Sequence, residues 1–165
     1  MRSDRLAVII RCMATNHSSP VVHDAWLGPL WRHGDHELIG SISIDPTVRP
    51  ARHNGATDAE VLLDIGPTTP EPELSARVSL AAARIRAALA NLDQIKQFAV
   101  DHAPADWRRH YQAQGATPLI ERLFLDGFEV SQALDVAACL DFGDLDMLIV
   151  KVDSSSRGMS VELRP

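Results

Sequence analysis

The spacing of apolar positions changes period twice along the chain. Ala25 to Trp31 and Glu37 to Ile44 read as two short strands around a turn at His33-Gly34-Asp35, the second alternating through Leu38, Gly40, Ile42 and Ile44. Asp45 to Asp58 follows with two prolines and an Asn-Gly, loop chemistry throughout, and is expected to be the most mobile loop. Glu60 to Ile65 reads as a third strand, stopped by Gly66-Pro67.

The period then becomes helical. Thr69 is placed to accept backbone N–H bonds as an N-cap, Pro70 or Pro72 suits a first turn that has no use for its missing N–H, and Glu71 and Glu73 suit the positive end of the helix dipole. Leu74, Val78, Ala81, Ile85, Leu89 and Leu92 recur at three- and four-residue spacings, one apolar stripe with Arg77, Arg84 and Arg86 off it. Asn91 or Asp93 is expected to cap a second helix carrying Ile95, Phe98, Ala99 and His102. Pro104 opens a third with Trp107 and Tyr111 that ends near Gly115, and Thr117-Pro118 starts one more turn.

From Leu123 the pattern returns to alternation. Leu123, Leu125, Phe128 and Val130 predict a strand kinked at Gly127. Val136, Ala138, Leu140 and Phe142 alternate against Asp135, Ala137, Cys139 and Asp141; Met147 to Val152 is a more buried strand; Met159, Val161 and Leu163 form a last one after the turn at Ser154 to Gly158. Short links between consecutive strands predict an antiparallel arrangement. The expected class is therefore α+β: N-terminal β-strands, a central helical segment and a C-terminal four-stranded antiparallel meander sharing one core. Residues 1–20 are read as an N-terminal extension or extra strand, and 21–165 as a single domain.

Composition narrows the class. A chain of 165 residues suffices for one core without staples. Cys12 and Cys139 form neither a disulfide framework nor a zinc ribbon, which points to a reducing compartment. The longest N-terminal apolar run, Leu6 to Ile10, is too short for a signal peptide or a membrane span, so the expected location is cytoplasmic. The net charge of -6 is uneven: residues 1–65 carry -2, residues 66–122 carry +1 and residues 123–165 carry -5. That balance argues against nucleic acid or an anionic membrane as partner, since both require a basic face, and fits a basic protein.

Candidate chemistry is sparse. His33-Gly34-Asp35-His36-Glu37, with His23-Asp24 nearby, is the densest group of ligand types for zinc or iron, but two histidines three apart across a glycine turn lack the rigid common face of His-Glu-x-x-His. Asp141-Phe142-Gly143 spells a kinase tripeptide without the rest of a kinase. Asp141, Asp144 and Asp146 lack the glycine and closing glutamate of a calcium loop. There is no Gly-x-Ser-x-Gly, no cysteine in an electropositive setting and no Walker or Gly-x-Gly-x-x-Gly loop, so no catalytic residue, metal or cofactor is assigned. Trp31, Trp107 and Tyr111 are assigned to the core, while Trp26, flanked by polar residues, is the best candidate for an exposed aromatic anchor. The expected partner-binding residues are Asp126, Glu129, Asp141, Asp144, Asp146 and Trp26.

Leu27-Gly28-Pro29-Leu30-Trp31, Leu38-Ile39-Gly40-Ser41-Ile42, Asn91-Leu92-Asp93, Ile120-Glu121-Arg122-Leu123, Asp141-Phe142-Gly143 and Leu148-Ile149-Val150-Lys151-Val152-Asp153 follow in an order similar to that of a group of uncharacterised bacterial domains. Some of those are encoded near polymorphic-toxin and secretion-system effector genes, where they look like immunity proteins. The resemblance covers most of residues 24–165. It leaves residues 1–20 outside, with Met13 as an alternative start, and carries over no functional residue. It implies an immunity-like protein; together with the acidic C-terminal strands and the missing catalytic constellation, the expectation is a cytoplasmic, non-enzymatic binding module that neutralises a toxic effector by occluding it, with a basic toxin domain as partner. The alternatives are a small metal-dependent hydrolase built on the His33/His36 region and a self-associating regulatory subunit.

Overall fold

Eight strands lie side by side in chain order in the computed structural model, which describes residues 19–44, 58–67, 69–142 and 146–164. They are β1 (Val22–Asp24), β2 (Gly28–His33), β3 (Glu37–Ser43), β4 (Asp58–Asp64), β5 (Phe124–Val130), β6 (Val136–Asp141), β7 (Met147–Val152) and β8 (Gly158–Arg164). Between β4 and β5 run four helices: α1 (Glu71–Ala90), α2 (Leu92–His102), α3 (Ala105–Gln112) and α4 (Leu119–Arg122).

All neighbouring strands are antiparallel except β4 and β5, which pair in parallel from Glu60↔Gly127 to Leu63↔Val130. This corrects the expected architecture. The C-terminal strands are not a meander apart from the N-terminal ones; they are half of one mixed sheet. The reason lies in the connection, because a parallel pair requires a long crossover and the helical segment supplies it. Gly127 makes the joint possible: a Cβ there would sit 2.3 Å from the Glu60 carbonyl oxygen, closer than any side chain allows. A β-bulge between Leu125 and Gly127 accommodates the same contact and leaves Asp126 as the extra residue.

The first strand also differs from expectation. Ala25 to Trp31 is not one strand, because Asp24 turns the chain. Its Oδ1 accepts the backbone N–H of Trp26 (2.8 Å) and of Leu27 (3.0 Å), and Gly28 takes a positive φ of 73°, so β1 ends and β2 begins within a tight turn. The other end of Asp24 accepts the hydroxyl of Ser79 (3.0 Å), tying this turn to α1.

The helices cover one face of the sheet. Leu74, Val78, Ala81, Ile85 and Ala88 of α1 join Leu30, Leu38, Val61, Leu63, Phe128, Leu140 and Val150 in a continuous core, while Leu89 is only half-buried. Thr69 does not cap α1: its hydroxyl donates to the Ile65 carbonyl, and Pro70 stands at the cap position without a side-chain bond. Asn91 likewise precedes α2 without capping it, donating instead to the Ala87 carbonyl (2.9 Å). In α2 the half-buried Phe98 packs so closely on Gly158 of β8 that a Cβ there would lie 2.3 Å from its ring. Trp107 and Tyr111 of α3 close the far end around Phe142, with ring centroids 5.3 and 4.4 Å from it, and the Arg122 guanidinium lies 4.2 Å over the same ring. Among the described residues no helix is long and apolar enough to cross a membrane.

Candidate functional site

Strand side chains alternate, so every residue between two core residues points to the opposite face. Every described helix residue in the core belongs to the cluster on the covered side; the opposite face carries a small second cluster of Ala137, Cys139 and Ile149 with Met147 beside it, and also the buried Ile39 with its cross-strand neighbours Leu62 and Trp31, the last half-buried here and not in the core where the sequence placed it. Register then determines which polar residues share that helix-free face. Among its strand residues are the acids Glu37, Asp58, Glu60, Asp64, Glu129, Asp141 and Glu162, against the bases Lys151 and Arg164. The helical segment from residue 66 to 122 carries +1, so the chain's negative charge resides in the strands and their turns.

Three of these acids, Glu37, Asp64 and Glu129, line a groove of about 470 Å³ that crosses this face from β3 to β8. Leu62 and Ala137 lie along it, Glu37, Asp64, Glu129 and Asp135 supply its carboxylates, and Lys151 is its single described base. Glu37 and Asp64 are direct cross-strand partners. Like charges placed opposite each other disfavour a sheet, and Asp64 is engaged by donors of its own. Asp64 Oδ1 accepts the Gly66 N–H (2.9 Å) and the Gln132 side-chain amide (3.1 Å), and the Gln132 carbonyl in turn accepts from Arg77 of α1.

Glu129 is held differently. Arg164 reaches it from β8, over the two intervening strands, and binds it through both guanidinium nitrogens (Nη1–Oε1 2.6 Å, Nη2–Oε2 3.3 Å). Strand neighbours stand ~4.8 Å apart, so this pair bridges three spacings and lies across the strip carrying Ala137, Cys139 and Ile149. Cys139 sits beneath it. Burial, reinforced by the Glu129 carboxylate that also takes its hydrogen bond, pushes the Cys139 thiol up to about 12, which keeps it protonated and unreactive at neutral pH.

The residues selected from the sequence scatter over this frame. Glu129 lies in the groove and Asp141 on the same face at the end of β6. Asp126 occupies the β5 bulge. Asp146 accepts the Tyr111 hydroxyl (3.3 Å) at the aromatic end of the core, so it has a structural partner. Asp144 lies outside the described residues, as do Cys12 and all but the last residue of the Asp45–Asp58 loop. Trp26 is half-buried in the β1–β2 turn at the other edge of the sheet, with the Arg86 guanidinium 5.4 Å from its ring centre, and joins none of the acids. The sequence reasoning missed Glu37, Glu60, Asp64 and Asp135. Each occupies a polar position of an alternating strand or its turn, and only register brings them together.

His33 and His36 flank the hairpin turn at Gly34, which has a φ of 66°. Among the described residues no group of three or more His, Cys, Asp or Glu side chains is placed to hold a metal ion. The arrangement offers instead a concave, negatively charged sheet face with an apolar floor. No protein-family model, no curated protein and no solved structure matches this chain.

Proposed function

We propose that this protein is a cytoplasmic binding module of the immunity type, which neutralises a toxic effector by laying its helix-free, acidic sheet face over a basic surface of that effector. The observation that carries this is the charge partition: the strand residues of one face hold seven acids against two bases, while the helical segment is close to neutral. Such a face steers a basic partner toward it and repels nucleic acid and anionic lipid. Glu37 and Asp64 support the same reading, because as cross-strand partners lining one groove they place two carboxylates where a single cationic side chain can meet both.

The test is co-expression with the product of the adjacent gene. The expected result is that this product arrests growth alone, is tolerated with the wild-type chain, and arrests growth again when Glu37, Glu60 and Asp64 are all changed to Lys in a chain that stays folded. A harmless neighbour would overturn the immunity reading. Full protection by the charge-reversed chain would move the binding surface off this face.

A further inference from the structure

We infer that Arg164 is a built-in stand-in for a partner's arginine: it occupies the Glu129 carboxylate in the free protein and yields it when a cationic segment docks in the groove. The inference rests on the acidic-face reading above and deepens it by naming the group recognised, a guanidinium, and the carboxylate that receives it. Three observations support it.

The first is geometric. Glu129 lines the groove, and Arg164 is bound to it in the two-pronged manner by which guanidinium groups recognise carboxylates in protein complexes. The second is exposure. The side chains of the pair retain 41% and 38% of their accessible surface, so the contact contributes little to folding and can be exchanged for an equivalent one at small cost. The third is what lies alongside. The pair crosses a small apolar strip, Ala137, Cys139 and Ile149, that the charged groups of this face surround. Moving Arg164 aside would open that strip to the aliphatic stem of an incoming arginine, which packs on apolar surface while its head stays polar.

The consequence is unusual for an ion-pair residue, since removing Arg164 should strengthen binding. The experiment titrates the full-length chain into a labelled nona-arginine peptide at low salt, comparing wild type, Arg164→Gln, Arg164→Lys and Glu129→Gln. Arg164→Gln is expected to bind roughly three- to ten-fold tighter than wild type, with Arg164→Lys between them, and Glu129→Gln weaker than wild type. Equal or weaker peptide binding by Arg164→Gln, in a chain whose wild type binds, would overturn the stand-in role and leave the acidic face intact. Absence of binding by every version would overturn the acidic-face reading itself.

Discussion

The two faces of the sheet are built from the same strands and obey opposite rules. On the covered face, side chains from β2 to β8 meet four helices in a single core, and Ile85, Leu123 and Leu140 have no accessible surface left. On the helix-free face the described buried apolar residues are few: Ala137, Cys139 and Ile149 form one small cluster, Ile39 is buried apart from it, and carboxylates stand among them. One face uses burial to hold the fold. The other gathers like charges in register, an arrangement that adds little to folding.

Large-to-small substitutions should separate the faces most sharply. Ile85→Ala empties a site closed on all sides and is expected to cost about 2–5 kcal/mol, whereas Arg84→Ala, one residue off the stripe, should cost well under 1 kcal/mol. Ile149→Ala, although 2% exposed, removes a side chain from a cluster one layer deep, where neighbours and water can close in. It should cost about 2 kcal/mol, the low end of the same range. Urea midpoints at constant slope measure all three. Equal shifts for Ile85→Ala and Ile149→Ala would mean that the second face is as deeply packed as the first.

The joint between the two halves can be broken independently of either face. Gly127→Ala pushes a methyl group into the Glu60 carbonyl, a rigid backbone atom that has no rotamer to escape into, and should cost about 1–3 kcal/mol. Gly115→Ala, where a Cβ would meet nothing within 4 Å, is the control and should be near neutral. If Gly127→Ala is equally well tolerated, the parallel β4–β5 pairing is not the seam on which the sheet depends.

How much of this the sequence displays follows from how local each feature is. The α1 stripe is legible because residues three and four apart share a face, so Leu74, Val78, Ala81 and Ile85 announce it without knowledge of anything distant. The β1–β2 turn is hidden because it depends on a side chain: Asp24 satisfies two backbone donors that an uninterrupted strand would have sent to a neighbour. The parallel joint is hidden for a different reason, since nothing in Glu60 to Leu63 names Gly127 to Val130 as its partner across more than sixty residues. The acidic face combines both problems. Glu37 and Asp64 look like ordinary solvent-facing strand residues in sequence, and become a pair of opposed carboxylates only once β3 and β4 are in register.

The smallest of the expected effects contrasts an acid of the covered side with those of the open one. Asp24 is buried at the edge of the sheet under α1. Burial alone would raise its carboxyl, but the N–H groups of Leu27 and Trp26, the Ser79 hydroxyl and the charge of Arg86 together outweigh it and hold the group below its ordinary value of 3.8. A carboxyl depressed in the folded state contributes stability that is present above the unfolded value and disappears as the pH falls through the folded one. Asp24→Asn keeps an acceptor for the turn but gives up the charge that strengthens each bond, so it should cost ~1 kcal/mol at neutral pH. The gap between wild type and variant should begin to narrow as the pH drops below 3.8 and close once it passes the lower folded-state value, where both carry a neutral side chain. Thermal unfolding followed from pH 7 to pH 2 provides the check. A constant gap across that range would show that Asp24 works through the shape of its turn alone and that its charge has no part in holding it.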